Sequence, residues 1–447
     1  MTMSPTKPRR KSRVPATRLG RFVRMGMTAG EFAIGGLTEG MRRFTGVEPA
    51  DAVNVFLTVT NAQKLAKRLS GMRGAAMKMG QMLSMEGADI LPPQFADALA
   101  ILRDSADTMP DSQVRRVMGR EYGKGWEEKF ESFEYEPIAA ASIGQVHRAI
   151  TKDGRDLALK IQYPGVAKSI NSDVDNMAMF LRMANLLPVE MDVSGIINEA
   201  KRQLQQEANY LAEADFLRRY GEFIRSDDRF LVPEVHDDLT TKRILAMDYI
   251  SGEPLETLAR DGVDQAERDR VGCLLEQLMF RELFEFRTMQ SDPNFANYMY
   301  RPDDGKIVLL DFGSTMTFTE EFTDRYSHIA RALIEEDDGA IRHYAEQIGY
   351  LHADDSSEHG QRLLTLIRLV CEPICHDRAF DFGQSDLFRR ARDTGFEMFL
   401  HHAGDFRVPP PETAFLHRKL MGSYLLCARI KARINVQALI RPYIPSR

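Results

Sequence analysis

The spacing of apolar positions changes several times along the chain, and each change marks a new element. Residues 51–133 read as helices, with Leu91-Pro92-Pro93 separating one from the next and Pro110-Asp111-Ser112 forming a proline-then-cap start for another. From Glu134 the period shortens to two. Gln145 to Ile150, a Lys152-Asp153-Gly154 turn and Asp156 to Gln162 predict a β-hairpin. Residues 166–187 and 194–224 predict two helices. Leu231 to Val235 and Arg243 to Ile250 return to strand, and Ser251-Gly252 breaks the chain. A long helix is expected over 264–287. Tyr298 to Tyr300 and Ile307 to Leu310 flank Pro302-Asp303-Asp304-Gly305 as a second hairpin. Everything after about Glu320 looks helical except the interruption at Pro409-Pro410-Pro411. No internal repeat is evident. A small, partly β lobe followed by a helical lobe, with a chemical motif where they meet, suggests a cleft enzyme.

Composition narrows the class. The 447 residues suit two or three domains of about 150 residues, or one two-lobed enzyme. With 43% hydrophobic and 28% charged residues the chain can bury a sizeable core. A net charge of −6 argues against a dedicated nucleic-acid binder, which usually carries a basic excess. Four cysteines are too few for a disulfide scaffold and suggest a reducing compartment. No apolar run reaches the roughly 18 residues of a transmembrane helix. The charge is uneven: residues 1–24 hold eight Lys and Arg and no acid, which leaves −14 on the remainder. Such a segment reads as a disordered basic tail, as a tether to an anionic membrane, or as an Arg-rich organellar presequence.

The chemistry concentrates at three places. Asp311-Phe312-Gly313 follows the apolar run Ile307 to Leu310. Upstream, Asp292 and Asn297 stand five apart in Gln290-Ser291-Asp292-Pro293-Asn294-Phe295-Ala296-Asn297, the D-x4-N spacing of a kinase catalytic loop, between a helix and a hairpin. Phosphoryl transfer needs metal to neutralise phosphate charge, and Asn and Asp oxygens suit Mg²⁺; the loop Asp orients or deprotonates the attacking group. Taken alone, the loop could be a run of turn residues. The third place is Lys160 in Leu157-Ala158-Leu159-Lys160-Ile161, which has the shape of the strand whose lysine pairs the α- and β-phosphates. Ala158, Lys160 and Gln162 share one face of that strand, which could equally be a solvated one. The departure is the phosphate-covering loop. Where a kinase carries G-x-G-x-x-G, this chain has Ala139-Ala140-Ala141-Ser142-Ile143-Gly144, and a Cβ keeps backbone from approaching phosphates as glycine allows.

With these marks the sequence resembles the UbiB family of atypical protein-kinase-like proteins, in particular the mitochondrial coenzyme Q kinase-like branch and its bacterial relatives. The resemblance covers roughly residues 60–447. It rests on Lys78-Met79-Gly80-Gln81 (the family's KxGQ), the Ala-rich loop, Lys160 to Val166, Leu283 to Phe286, Gln290 to Asn297, Val408 to Glu412 and Leu416 to Lys419. It implies an α+β, bilobal protein-kinase-like fold with a helical N-terminal extension over 51–133, a lobe over 134–250 and a helical lobe over 251–447. Lys160 would pair the phosphates, Asp292 would be the catalytic-loop acid, and Asn297 and Asp311 the Mg²⁺ ligands. Ala139, Ala140, Ala141 and Ser142 would replace the glycine-rich loop at the nucleotide. Lys78 and Gln81 would lie over the cleft and hinder ordinary protein substrates.

Lys78 and Gln81, three apart, share a helix face among Met72, Met77, Met79, Met82 and Met85, a set that suits core packing or a lipid- or quinone-binding surface. Two glutamates could partner Lys160. Glu207 and Glu213 are six apart, roughly 120° around one helix, so both cannot face it equally. The family pattern matches Glu207 to an ExD motif contacting the KxGQ region and Glu213 to the glutamate that pairs the lysine; Asn209 stands where that motif has Asp. Gln290 and Asn294 occupy positions where many members carry histidine. Cys371-x3-Cys375-His376 and His401-His402 lack a second ligand pair at a zinc spacing.

The reading is an Mg²⁺-dependent nucleotide-binding atypical kinase or ATPase that uses ATP/ADP and supports ubiquinone biosynthesis at a membrane surface. Its expected partners are a nucleotide, a lipid or quinone-precursor ligand and ubiquinone-biosynthesis proteins, with no nucleic acid. The expected location is cytoplasmic with peripheral membrane association, or the mitochondrial matrix face if organellar. The alternative is a pseudokinase-like, nucleotide-gated scaffold or lipid-handling module. A protein kinase acting in trans is disfavoured by the cleft-covering extension.

Overall fold

A computed structural model describes residues 108–141, 143–183, 194–292, 295–352, 357–401 and 410–445. The basic tail, Lys78, Gln81 and the methionine set lie outside them, as do Ser142, Asn294 and His402. The chain divides into two compact units: the described residues up to Ala214 together with Val235–Tyr249, and Asp215–Glu234 together with Ile250 onward. Residues 215–234 thus cluster with the second unit, although the sequence reading placed them in the first lobe.

In chain order the elements through Asp248 are α1 (Asp111–Glu121), β1 (Phe130–Phe133), β2 (Ala139–Ala141), β3 (Gly144–Thr151), β4 (Asp156–Gln162), α2 (Val166–Met183), α3 (Ser194–Glu207), α4 (Tyr210–Phe223), β5 (Phe230–Leu231) and β6 (Ile244–Asp248). Helix α1 follows Pro110, and Asp111 lies in its first turn, where its charge suits the positive end of the helix. Residues 130–133, expected to be helical, are strand instead: β1 pairs antiparallel with the end of β3. Its aromatic residues explain the outcome, because Phe130 and Phe133 pack edge-on against Trp126 in a cluster that a sheet surface can bury.

The first unit is built on a five-stranded antiparallel sheet in the order β1–β3–β4–β6, with β2 sharing the outer edge of β3. The predicted hairpin of β3 and β4 is present, with Val146 opposite Lys160 and the turn at Gly154 in the left-handed region. Strand β4 lies between β3 and β6, and every residue from Leu157 to Gln162 is buried. Both of its faces are covered, so alternation of chemistry along β4 does not translate into alternation of exposure.

The expected helix over 194–224 is two helices. Ala208 and Asn209 interrupt it, and the Asn209 side chain accepts from the Ala212 amide at 3.3 Å, the bond of an N-cap. The angular argument for Glu207 and Glu213 on one cylinder therefore does not apply.

The second unit continues with β7 (Glu253–Pro254), α5 (Gln265–Phe284), β8 (Thr288–Gln290), β9 (Tyr298–Arg301), β10 (Lys306–Leu309), β11 (Thr315–Thr317), α6 (Glu320–Ile334), α7 (Asp338–Gln347), α8 (Ser357–Val370), α9 (Glu372–Cys375), β12 (Phe380–Asp381), α10 (Leu387–His401), α11 (Pro411–Arg429), β13 (Arg433–Ile434) and α12 (Val436–Ile440). Asp264, Thr319, Asp337 and Asn435 cap α5, α6, α7 and α12 with their side chains. The predicted hairpin of β9 and β10 sits in a sheet ordered β5–β10–β9–β7. Among the described residues beyond Glu320 the regular elements are helices except for β12 and β13, which pair with each other. Ile329, Leu333, Ile341, Ile348 and Leu364, from α6 to α8, form one part of its apolar core.

Candidate functional site

Lys160 is buried near the middle of β4, against the expectation that it could face solvent. Its Nζ lies 2.6 Å from Glu213 Oε1, with side chains 7% and 1% exposed, and 5.4 Å above the Tyr210 ring. Glu213 is thus the glutamate at Lys160, in the first turn of α4, which the Asn209 cap starts. Glu207 is buried at the end of α3. The two glutamates are separated by the helix break. An Asn at position 209 keeps the cap that Asp would supply while dropping its charge.

The Ala-rich segment is not an open loop. Ala139, Ala140 and Ala141 form β2, paired with Val146, Gln145 and Gly144 of β3, and Ala139 and Ala140 are exposed. Gly144 has no room for a side chain: a Cβ there would overlap the Ile161 carbonyl and approach the Tyr210 hydroxyl at 2.8 Å. Gln145 beside it is buried and accepts from the Met109 amide at 2.8 Å. Its amide meets the buried His147 ring at 2.7 Å.

In the second unit, a two-stranded ladder gathers the other candidates. After α5 the chain turns through Arg287, which adopts φ 48°, into β8. Strand β8 pairs with β11, Gln290 opposite Thr315, and the Ser291 amide donates to the Ser314 carbonyl at 2.8 Å. This brings the segment entering Asp292 beside the segment leaving Asp311-Phe312-Gly313. The Asp292 carbonyl accepts from Gln290 Nε2 at 2.9 Å and from Asn297 Nδ2 at 3.1 Å. The Leu310 amide donates to the Asn297 carbonyl at 3.0 Å, tying Asn297 to the residue before Asp311. Asp311 Oδ1 accepts from the Gly313 amide at 2.9 Å, which orients its carboxylate. Phe312 is buried with its ring centroid 4.3 Å from that of Tyr220.

The sequence reading missed the β8–β11 ladder, since runs of three residues are too short to show a period. It also gave no role to Glu282, Tyr298 or Lys419. Lys419 Nζ lies 2.6 Å from Glu282 Oε2, with side chains 5% and 2% exposed. Burial alone would depress the lysine, but the Glu282 carboxylate and the Tyr298 hydroxyl more than offset this and hold it above the usual lysine range. A lysine and a glutamate 137 positions apart carry no local signal of pairing.

An Mg²⁺ ion would find hard oxygen donors in Asn297 and Asp311. The Asn297 amide nitrogen is spent on Asp292, so its Oδ1 is the donor end. Among the described residues no cluster of three or more His, Cys, Asp or Glu that could hold a metal ion is present. No helix among the described residues is long and apolar enough to cross a membrane.

Comparison with known proteins places the chain in a family. Residues 101–345 match the model of the ABC1 atypical kinase-like domain. The rat mitochondrial atypical kinase COQ8B is 36% identical over 434 residues, spanning 97% of this chain and 81% of the relative. The mitochondrial atypical kinase COQ8 of Saccharomyces cerevisiae is 32% identical over 434 residues, spanning 97% of this chain and 86% of the relative. The erythromycin complex of Rv3197 from Mycobacterium tuberculosis superposes with a TM-score of 0.58 at 28% identity, covering 89% of this chain and 98% of that one. The fold is an α+β protein-kinase-like fold, and the chain belongs to the ABC1/UbiB family of atypical kinases.

Proposed function

We propose that this protein is an Mg²⁺-dependent, nucleotide-binding atypical kinase or ATPase that supports coenzyme Q biosynthesis at a membrane surface. The observation that carries the reading is the buried Lys160–Glu213 pair at 2.6 Å, the strand-lysine to helix-glutamate arrangement that phosphoryl-transfer kinases need in place. An ammonium has three donors, and the one engaged by Glu213 fixes where the others point. Lys160 then binds α- and β-phosphate oxygens. Asn297 and Asp311 would hold Mg²⁺, which when bound neutralises charge on the phosphates. Asp292, its carbonyl clamped by Gln290 and Asn297, orients the attacking hydroxyl or water and accepts its proton. The amides at positions 290 and 297 thus anchor the loop backbone. Ala139 to Ala141 contribute to the nucleotide site as a strand edge carrying methyl groups in place of bare glycine backbone, and Ser142 is assigned to the same site by the family pattern. Lys78, Gln81 and Glu207 belong to the extension and the motif that meets it. The coenzyme Q assignment rests on the likeness to the COQ8 atypical kinases, and the membrane setting on the basic segment of residues 1–24 together with the lipid-soluble pathway that this assignment implies.

The test is nucleotide hydrolysis by purified protein with Mg²⁺, with and without anionic liposomes and a phenolic quinone-precursor mimic, beside Asp311→Asn. Turnover that rises with lipid and is lost in the variant is expected. Wild-type turnover in Asp311→Asn sinks the assignment. Mg²⁺-dependent nucleotide binding without turnover favours the second reading, a nucleotide-gated scaffold, for which the observation is the alanine strand where phosphate-cradling glycines would stand.

A further inference from the structure

We infer that Lys419, on α11, is a positioning residue for the loop that carries Asp292. The inference deepens the functional reading above and rests on Asp292 being the residue that orients the acceptor.

The argument follows the hydrogen bonds from the ammonium outward. Lys419 Nζ is paired with Glu282 Oε2 at 2.6 Å and donates to the Tyr298 hydroxyl at 3.2 Å. The Tyr298 hydroxyl donates to Gln290 Oε1 at 3.4 Å. Gln290 Nε2 donates to the Asp292 carbonyl at 2.9 Å. A carbonyl can only accept, so the Gln290 amide has one orientation that satisfies both ends, and the direction of the whole relay follows from it. A second branch runs through Glu282. Its Oε1 accepts from the Tyr220 hydroxyl at 2.9 Å and lies 3.5 Å from the Gln290 backbone nitrogen, which donates to it. The single Tyr220 hydroxyl proton is shared with the Thr288 carbonyl at 3.0 Å, and the ring packs on Phe312. Both branches therefore end on residues 288–292.

Packing alone does not call for a charge here. A buried ion pair contributes little net stability compared with apolar residues of the same volume, because desolvation offsets the attraction. The neighbourhood offers little slack: a cavity of about 10 Å³, lined by Leu275, Leu278, Tyr298, Lys419, Ser423 and Leu426, has room for at most about one water. What a methionine at 419 could not do is donate to Tyr298. Without that donor and its carboxylate partner, Gln290 loses one of the two constraints that hold its amide against Asp292.

The experiment compares kcat, KM and direct nucleotide affinity in wild type, the double variant Glu282→Gln/Lys419→Met, Tyr298→Phe, their combination and Asp292→Asn, with thermal melts on each. Removing both charges together leaves no buried orphan, so the double variant is expected to melt near wild type. Its kcat is expected to fall roughly tenfold with nucleotide affinity unchanged. Tyr298→Phe removes one hydroxyl and should show a smaller fall of the same kind, and adding it to the double variant should cost little more, because both act through one relay. A double variant with wild-type kcat overturns the inference, as does a fall explained by lost affinity or a lower melting temperature. Should the double variant fail to fold, Tyr298→Phe decides: full kcat in it overturns the positioning role. Turnover lost in Asp292→Asn but kept in these variants removes this inference alone. Turnover kept in Asp292→Asn removes the functional reading and this inference with it.

Discussion

Among the described residues each unit buries a lysine–glutamate pair, both at 2.6 Å and both less than one-tenth exposed. Lys160 meets Glu213 between a strand and the first turn of a helix, beside the β2–β3 hairpin. Lys419 meets Glu282 between two helices, enclosed by the hydroxyls of Tyr298 and Tyr220 and by the backbone of β8. The chemistry of the two pairs is the same and their surroundings are not. The neighbours decide the role: on the functional reading proposed above, one pair offers its cation to phosphates, while the other spends its charge on protein groups that lead to Asp292.

The comparison can be broken most forcefully by removing one partner. Lys419→Met leaves the Glu282 carboxylate buried without its cation and should destabilise the protein by about 3–5 kcal/mol, read by denaturant or thermal unfolding. Recovery of stability on adding Glu282→Gln would show that the orphaned charge is the cause. Lys160→Met should orphan Glu213 in the same way and, in addition, lower nucleotide turnover per folded molecule roughly 100-fold, and Glu213→Gln should follow it in the direction of turnover because it misplaces the same ammonium. A Lys160→Met protein that binds nucleotide and turns it over normally would end the parallel.

A further buried glutamate sharpens the contrast. Glu276 lies on α5, as Glu282 does, but makes no ion pair among the described residues, and burial pushes its carboxyl up to about 7. A carboxyl whose folded pKa lies above its unfolded value of about 4.5 holds a proton in the native state after the unfolded chain has lost it. Its contribution to stability is therefore present at low pH and is lost as pH rises through about 7. Glu276→Gln should be more stable than wild type by roughly 1–3 kcal/mol at about pH 8, and the difference should shrink toward zero near pH 5. A difference independent of pH would argue against a protonated Glu276.

The smallest effect is expected at the cap that aims Glu213. Asn209→Ala should cost about 1 kcal/mol, whereas Asn209→Asp should be nearly neutral for stability, since both side chains cap. Unfolding of the two variants side by side measures this, and equal losses would remove capping as the role of the side chain.

The legible parts of the molecule are those with a local signature. The β3–β4 and β9–β10 hairpins follow from alternation and turn residues, and α5 from its periodicity and its Asp264 cap. Lys160, Asp292, Asn297 and Asp311 stand out as candidates because their motifs are short and contiguous. Where local pattern was ambiguous the reading slipped. An aromatic segment at 130–133 joined a sheet instead of a helix, and Asn209 ended one helix and started another within what looks like a continuous pattern.

The sequence by itself determined which residue types stand in which order, and hence the family and the candidate chemistry. Tertiary structure alone decided which of Glu207 and Glu213 meets Lys160, that β4 is covered on both faces, and that β8 and β11 set the loop of Asp292 beside Asp311. It alone joined Lys419 to Glu282 and Tyr298. The physical reason is one of range. Periodicity, caps and turns act over a few residues and leave a mark in the local pattern, whereas the cost of burying a charge is met by whichever opposite charge the fold brings within about 3 Å, at any separation along the chain.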